Sequence, residues 1–342
     1  MSQTLLTVSD LSVHFARRRL NPLKPRELVR AVDGVSFALS RGTVLGIVGE
    51  SGSGKTTVAR AILRLVPITY GHVRIEDIDI ARLQGEELRC MRRRLQYVFQ
   101  DPYSSLNPRV RAGAIVRAPL DVMDIGAPSQ REARVVELFE AVGLRPEQRS
   151  LFPHQFSGGQ RQRINIARAL APEPELLICD EPVSALDVAI RAQILNLLRR
   201  LQRERGIGLL FISHDMAVVR HMADEVAVMY LGQIVERAPR KAFFARALHP
   251  YSVALLSAVP TVRGGRRRAA RRIRLTGDPP SPIDPPPGCR FAPRCPVAEA
   301  RCRARMPELR EASAGRWVRC HLVCADRAPL QAPPSAAAHS ET

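Results

Sequence analysis

The chain has 342 residues, of which 45% are hydrophobic, so it is long enough for one large domain with an extension or for two domains. Its formal net charge of +19 indicates either an anionic partner, such as nucleic acid or a membrane surface, or an arginine-rich solvated surface. No apolar run reaches the roughly 18 residues of a membrane helix, the start lacks a signal-peptide pattern, and the seven cysteines are too unevenly spaced for a secreted disulfide framework. We therefore expect a soluble or peripheral protein of the cytosol.

The first part of the chain carries a strand, a glycine-rich loop and a helix in succession. Residues 1–15 alternate in hydropathy as an edge strand does, and the basic, proline-broken stretch from Arg17 to Arg30 predicts a loop. The apolar run "TVLGIVGE" is typical of a buried parallel strand. It leads into "GESGSGKT" and then into a helix predicted from Lys55 to about Leu65.

The segment "GESGSGKT" matches the pattern G-x-x-x-x-G-K-[ST] of a phosphate-binding loop. Glycines let backbone N–H groups surround phosphates, Lys55 can place its charge on the β- and γ-phosphates, and the Thr56 hydroxyl can bind Mg²⁺. The flanking strand and helix favour this interpretation over a chance glycine-rich turn. The predicted phosphate-binding residues are Gly49, Ser51, Gly52, Ser53, Gly54, Lys55, Thr56 and Thr57.

The stretch "FSGGQRQR", Phe156 to Arg163, presents a second anion-binding pattern. It follows residues 101–155, which carry helical periods such as "REARVVELFEAVGL". Ser-Gly-Gly ahead of a helix attracts phosphate, because the first N–H groups of a helix have no partner within it. A second such site in one domain makes sense if its anion belongs to a partner.

Polar side chains end three further predicted strands. Gln100 ends the strand in "YVFQDP", Asp180 and Glu181 end "ELLICDEP", and His214 ends "IGLLFISHD". We predict that Asp180 and Gln100 bind Mg²⁺, directly or through water, and that Glu181 polarises the water attacking the γ-phosphate. Gln100 and His214 would respond to the γ-phosphate. The alternation of strands and helices predicts a parallel α/β sheet.

Together these motifs resemble those of the ATP-binding subunits of ABC transporters. The phosphate loop, Gln100, "SGGQ", "CDEP", "SALD" and His214 occur in the order and rough spacing of that family, over residues 1 to about 260. The resemblance implies an α/β fold of the ABC-type P-loop NTPases, with a parallel-sheet core, a small antiparallel β portion and a helical subdomain at about 101–160. It also implies a head-to-tail dimer, in which each ATP lies between the phosphate loop of one chain and the "SGGQ" of the other.

The resemblance assigns roles to further residues. Asp187 would couple the two sites across the dimer. Phe15 matches the place of the aromatic residue that stacks on adenine, and the alternative is a core side chain of an edge strand. The residues expected to bind the γ-phosphate held by the neighbouring chain are Ser157, Gly158, Gly159 and Gln160.

The composition changes near residue 260. Arg263 to Arg274 holds seven arginines in twelve residues, and "GDPPSPIDPPPG" follows it. We expect residues 261–330 to form a small Pro/Cys-rich module and 331–342 a disordered tail. "HPYSVALLSAVP" and "PSPIDPPPGCRFAPRCP" resemble the oligopeptide/dipeptide import ATPases, and the insertion before "AVDGVSF" together with "SLNP" favours the F-type subunit over the D-type.

Four cysteines of this module are candidate metal ligands. Neighbouring thiols in a reducing compartment favour a metal over disulfides, either Zn²⁺ or an iron–sulfur cluster. The resemblance implies a [4Fe–4S] cluster, with His321 or Cys324 as alternatives for the fourth ligand and with unligated thiols as the other interpretation. The predicted ligands are Cys289, Cys295, Cys302 and Cys320.

The resemblance implies an ATP-hydrolysing subunit that powers import of dipeptides or oligopeptides from the cytoplasmic side of the cell membrane, with ATP and Mg²⁺ as cofactors. Its partners would be a second ATPase subunit, two membrane-spanning permeases and an extracytoplasmic substrate-binding protein, with no specific nucleic acid. Two alternatives are a soluble ABC ATPase that acts on nucleic acid, indicated by the basic charge, and an importer of nickel, glutathione or oligosaccharide.

Overall fold

The computed structural model describes residues 3–17, 27–259, 273 and 275–323, which form two sheets with surrounding helices. The strands are β1 (Thr4–Ala16), β2 (Leu28–Ser40), β3 (Val44–Val48), β4 (Tyr70–Ile75), β5 (Ile78–Asp79), β6 (Leu95–Val98), β7 (Leu176–Asp180), β8 (Gly208–Ile212), β9 (Glu225–Tyr230), β10 (Gln233–Pro239), β11 (Arg310–Ser313) and β12 (Arg316–Val318). The helices are α1 (Lys55–Ile62), α2 (Gly85–Arg94), α3 (Ala112–Val122), α4 (Pro128–Ala141), α5 (Gly158–Leu170), α6 (Val188–Arg205), α7 (Met216–Met222), α8 (Arg240–Ala245), α9 (Pro250–Ser257) and α10 (Ala300–Ala304). Short 3₁₀ turns lie at Pro146–Ser150, Pro153–Gln155 and Ala292–Arg294.

The larger sheet has its strands in the order β11-β12-β10-β9-β3-β8-β7-β6. The five strands from β9 to β6 in that order run parallel, and β10, β12 and β11 extend the sheet with antiparallel pairs. Every residue of β3, β7 and β8 is buried, as parallel strands covered on both faces require. The structure confirms these three predicted strands. The carboxyl ends of all five parallel strands meet at one edge, which gathers the side chains that follow them.

The smaller sheet is antiparallel, in the order β2-β1-β4-β5. Strand β1 pairs with β2 on one side and with β4 on the other, so the prediction of an edge strand for residues 1–15 is wrong. Alternating hydropathy reports one solvated face of an antiparallel sheet, and an internal strand has such a face too. Strand β2 begins at Leu28, inside the predicted loop, while residues 18–26 lie outside the described residues.

Three helices predicted from the sequence are present, and the first of them, α1, is shorter than the predicted helix from Lys55 to about Leu65. Helix α1 ends at Ile62, because Leu63 caps it and Arg64 has a positive φ of 52°. Helices α4 and α6 occupy the segments predicted to be helical. Helices α3, α4 and α5 share one buried core with the large sheet, which includes Val116, Phe139 and Ile164 from the helices.

The chain after residue 275 joins the large sheet. Glu236 and Arg237 of β10 pair with Val318 and Trp317 of β12, and β11 forms the outer strand beyond β12. The predicted tail at 331–342 and the arginine run, apart from Ile273, lie outside the described residues. Within the described part of the chain, no helix combines the length and the apolar character needed to cross a membrane.

Candidate nucleotide-binding site

The predicted phosphate loop connects β3 to α1 at the carboxyl edge of the large sheet. Gly49 and Gly54 have positive φ values of 157° and 101°. A Cβ at Gly49 would lie 2.2 Å from the Met229 carbonyl oxygen, and one at Gly54 would lie 2.3 Å from the Ala31 carbonyl oxygen. Only glycine fits both places, so the loop is held close to the ends of β9 and β2.

Lys55 begins α1 and is buried against the loop that precedes it. Its Nζ donates hydrogen bonds to the carbonyl oxygens of Gly49 and Glu50, at 2.8 Å each. Burial lowers the pKa of Lys55, whereas the carboxylates of Glu181 and Asp180 act to raise it. Lys55 therefore presents a partly desolvated cation at the place where nucleotide phosphates are predicted to bind.

Asp180 ends β7 and is buried. One of its carboxylate oxygens accepts a hydrogen bond, and the other has no hydrogen-bond partner among the described residues. The Tyr97 hydroxyl donates to Asp180 Oδ2 at 2.7 Å, and burial followed by the charge of Asp180 raises the pKa of Tyr97, which keeps this phenol protonated. Asp180 Oδ1 is buried and has no hydrogen-bond partner within the described structure. Asp180 does not line the cleft that Thr56 and Gln100 line, but its charge acts on Lys55, the neighbour of Thr56 in the chain. A buried carboxylate oxygen without a partner in the described part of the chain, together with hydroxyl and amide oxygens, is the kind of donor set that Mg²⁺ prefers, so these residues fit the predicted ion.

Glu181 follows Asp180 and is held by two predicted site residues. Gln100 Nε2 donates to Glu181 Oε2 at 3.2 Å, and His214 Nδ1 lies 3.0 Å from Glu181 Oε1. The side chain of Glu181 is 17% exposed and that of His214 is 59% exposed. The ends of β6, β7 and β8 thus bring these three side chains to one point.

A cleft of about 600 Å³ lies between the phosphate loop and the residues that follow β6, β7 and β8. Sequence reasoning missed six of its lining residues, which no local motif marks. They come from the β2 segment, from the turn after β9 and from the proline-rich segment: Val29, Arg30, Ala31, Leu231, Gly232 and Pro282. The predicted residues in its lining are Ser51, Gly52, Gly54, Lys55, Thr56, Thr57, Gln100, Glu181 and His214. A second cleft of about 570 Å³ between α6 and α7 contains none of the predicted site residues.

Gly49, Ser53 and Asp180 are not part of this lining, although residues one or two positions away in the chain are, and three further groups of predicted residues also lie outside it. Phe15 is 37% exposed near the end of β1 and pairs with Val29, which does line the cleft. The residues of "SGGQ" begin α5, where Ser157 Oγ accepts the Gln160 N–H at 3.4 Å and Gln160 Oε1 accepts the Ser157 N–H at 3.0 Å. Asp187 is exposed at the N-cap of α6. The structure therefore separates "SGGQ" and Asp187 from the cleft of their own chain.

The four predicted cysteine ligands converge without forming a metal-ion site. The Cys289 N–H bonds to the Cys302 carbonyl oxygen at 2.7 Å, and Cys302 and Cys320 share a small buried cluster with Val318. Burial raises the pKa of the Cys295 thiol to about 11. Among residues 3–17, 27–259, 273 and 275–323, no three His, Cys, Asp or Glu side chains are placed to hold a metal ion.

The predicted iron–sulfur cluster and its zinc alternative are therefore not supported by the described residues, and the thiols pack there as small apolar side chains. The sequence spacing of Cys289, Cys295, Cys302 and Cys320 showed that they are near one another in the chain, but not where their sulfur atoms point. Of the alternative ligands, His321 Nε2 lies 2.8 Å from the Arg305 carbonyl oxygen, and Cys324 lies outside the described residues.

Two family models and several known proteins match this chain. A family model described as "ABC transporter" matches residues 32–184, and one described as "Oligopeptide/dipeptide transporter, C-terminal region" matches residues 235–302. The chain is 51% identical over 332 residues to the "Probable peptide ABC transporter ATP-binding protein y4tS" of Sinorhizobium fredii, covering 97% of this chain and 92% of the relative. It is 47% identical over 323 residues to the "Oligopeptide transport ATP-binding protein AppF" of Bacillus subtilis, covering 94% of this chain and 98% of the relative.

A solved structure also matches. The "Dimeric structure of a post-hydrolysis state of the ATP-binding cassette MJ0796 bound to ADP and Pi" superposes with a TM-score of 0.61 and 29% identity, over 69% of this chain and 99% of that chain. These relatives do not favour the alternative of a soluble ATPase that acts on nucleic acid. The phosphate loop, the acidic strand end and both family matches show that this chain belongs to the ATP-binding subunits of ABC transporters, in the branch with an oligopeptide/dipeptide transporter C-terminal region.

Proposed function

We propose that this chain hydrolyses ATP to power the import of dipeptides or oligopeptides across the cytoplasmic membrane. The observation that carries the proposal is the carboxylate of Glu181, held between Gln100 and His214 in the cleft that the phosphate loop lines. A positioned carboxylate beside a phosphate-binding loop can orient and polarise a water for attack on the γ-phosphate.

The predicted catalytic and binding residues divide the steps of this reaction among them. Lys55 and the loop N–H groups bind the phosphates, and Glu181 takes the proton of the attacking water. Thr56, Asp180 and Gln100 would hold Mg²⁺, which when bound neutralises charge on the β- and γ-phosphates. Gln100 and His214 both contact Glu181, so a change at the γ-phosphate can reach both through one carboxylate.

The remaining predicted site residues are expected to act in a dimer. Ser157 to Gln160 and Asp187 lie away from the chain's own cleft, and the N–H groups at the start of α5 suit a phosphate held by another chain. We infer a head-to-tail pair with a second ATPase subunit, this chain being the F-type member. Two permeases and a substrate-binding protein would complete an importer, with this chain peripheral on the cytoplasmic side of the membrane.

A pull-down of the tagged chain from detergent-solubilised membranes of its host tests this assembly. We expect two multi-span permeases and a second ATPase to be recovered with the wild-type chain and with Lys55→Ala, which alters only the phosphate site. The recovered complex, placed in liposomes, should import labelled peptides with wild-type chain but not with Lys55→Ala. Recovery in the soluble fraction with nucleic acid and no permease would overturn the proposal, and uptake of nickel, glutathione or oligosaccharide in place of peptide would change the cargo.

A further inference from the structure

The phosphate-binding loop contains a carboxylate of its own. Glu50 is the second residue of "GESGSGKT", and its negative charge acts on the ammonium group of Lys55. A nucleotide triphosphate carries charge of the same sign, so an uncompensated carboxylate in this loop opposes its binding. The one cation of the loop motif, Lys55, is assigned to the nucleotide phosphates, so a second cation is needed to offset Glu50.

The C-terminal segment supplies that cation. Arg294 Nη1 donates to Glu50 Oε2 at 2.8 Å, and Arg294 Nη2 donates to Glu50 Oε1 at 3.2 Å. The Arg294 side chain is 8% exposed and that of Glu50 is 31% exposed. A bidentate, largely desolvated pair has a fixed geometry and is screened less by salt than a surface pair.

The same loop residue is also held through its backbone. The Glu50 N–H donates to the Tyr251 hydroxyl at 2.9 Å, and the Glu50 carbonyl oxygen accepts from Lys55. The rings of Tyr251 and Phe291 lie 5.4 Å apart, and each lies next to Tyr230 in one buried aromatic cluster. Phe291 lies three residues before Arg294, so this cluster fixes the 3₁₀ turn Ala292–Arg294 against the loop.

Arg290 fixes the other end of that turn. Its guanidinium donates to the carboxylate of Asp33 and to the Leu231 carbonyl oxygen, and it lies beside Gly232, where a Cβ would be 3.3 Å from Arg290 Nη1. Farther along the C-terminal segment, the Pro282 carbonyl oxygen accepts the Arg30 N–H at 3.0 Å, and both residues line the cleft. The segment from Pro282 to Arg294 thus contacts the cleft residues Arg30 and Leu231 and the phosphate-loop residue Glu50.

We propose that Arg294 is a positioning residue of the nucleotide site, which neutralises Glu50 and holds the phosphate loop in its binding conformation. The C-terminal segment thereby controls the affinity of the site for ATP. The inference rests on the phosphate-loop assignment proposed above. The competing role is mechanical, in which the pair only anchors the C-terminal segment to the rest of the chain.

The two roles differ in what happens when both partners become neutral. Arg294→Gln leaves Glu50 uncompensated, and we expect the Kd of the full-length chain for Mg²⁺ with a non-hydrolysable ATP analogue to rise about tenfold at low salt. The double variant Arg294→Gln/Glu50→Gln removes both charges, and we expect its Kd to return to within about threefold of the wild-type value. A double variant that binds as weakly as Arg294→Gln, or an Arg294→Gln chain that binds as well as the wild type, would overturn the proposal.

Three further variants make the result unambiguous. Arg301→Ala removes an exposed ion pair with Glu299 in the same segment, at 2.9 Å, and should leave the Kd unchanged. Thermal unfolding without nucleotide shows whether Arg294→Gln folds. If it does not, Arg294→Lys keeps the positive charge, although it loses the bidentate geometry, and should bind within about threefold of the wild type. A folded Arg294→Lys that binds about tenfold more weakly would contradict neutralisation. Lys55→Ala should lose binding by itself, and wild-type affinity in that variant would refute the phosphate-loop assignment rather than this inference.

Discussion

At the scale of single residues, Glu181 combines an unusual backbone with its proposed chemistry. Its φ is 49°, in the left-handed region that costs a residue with a side chain about 1–2 kcal/mol. The Glu181 N–H donates to the Ile212 carbonyl oxygen at 3.0 Å, and the Ser184 hydroxyl donates to the Glu181 carbonyl oxygen at 3.0 Å. The turn after β7 is therefore held in the conformation that brings this carboxylate to Gln100 and His214.

Replacing this carboxylate by an amide separates catalysis from binding. We expect Glu181→Gln to lower kcat for ATP hydrolysis by about 10²–10⁴-fold, because an amide cannot accept the proton of the attacking water. ATP affinity should remain, since Lys55 and the loop N–H groups are unchanged. Steady-state hydrolysis and nucleotide binding measure the two quantities, with the exposed Glu87→Gln as the control. Hydrolysis near the wild-type rate would remove Glu181 from its proposed role.

Tyr97 is expected to act through Asp180. Its hydroxyl orients Asp180 Oδ2 and so leaves Oδ1 free for a metal ion. Losing the partner of a metal-binding carboxylate typically weakens metal affinity 10–100-fold. We expect Tyr97→Phe to raise the Mg²⁺ concentration for half-maximal ATPase activity by about tenfold, while metal-free nucleotide binding stays constant. An unchanged Mg²⁺ requirement would show that the hydroxyl is only a packing group.

At the scale of elements, the N-terminus of α9 links a helix cap to pH. His249 Nδ1 accepts the Tyr251 N–H at 3.1 Å, and burial lowers the pKa of this imidazole from 6.5 to about 3. Between about pH 3 and pH 6.5, His249 therefore binds a proton in the unfolded chain but not in the folded chain. The free energy of unfolding therefore falls as pH falls through this window, by up to about 1.4 kcal/mol per pH unit.

His249→Asn tests this coupling, because asparagine keeps a cap acceptor and does not titrate. Between pH 7.5 and 5.5 we expect the wild type to lose about 1.4 kcal/mol more unfolding free energy than the variant, measured by urea denaturation. The carboxylate of Glu236, which accepts the N–H groups of Leu248 and His249, is present in both proteins and cancels in the comparison. Parallel pH profiles would show that His249 does not titrate in this range.

At the scale of the whole molecule, the sequence predicted best what is local. Buried parallel strands are continuous apolar runs, and the polar residues that end them meet at one sheet edge, so β3, β7, β8 and the parts of the cleft that follow them were predictable. Contacts between distant segments were not, because no local pattern marks which residues meet. Three such long-range contacts are the ion pair of Arg294 with Glu50, the hydrogen bond of Tyr97 with Asp180, and the pairing of β12 with β10.

The whole-molecule proposal of shared sites is tested at Ser157. Aspartate is as good a helix cap as serine, so Ser157→Asp should leave α5 intact, but it places a negative charge where a partner's phosphate is proposed to bind. Since Ser157 does not line the chain's own cleft, we expect ATP affinity of the single chain to be unchanged. In the Glu181→Gln background, ATP-dependent pairing should weaken by about 100-fold or more.

Size-exclusion chromatography with ATP and Mg²⁺, of the chain alone and mixed with the second ATPase subunit, measures this pairing. Ser157→Asn is the matched control, because it also caps the helix without adding charge, and its pairing should be weakened much less. Equal pairing by Ser157→Asp and wild type would mean that no phosphate approaches α5. Loss of nucleotide affinity in the single chain would instead place Ser157 in its own site, and the head-to-tail arrangement would then lose its support.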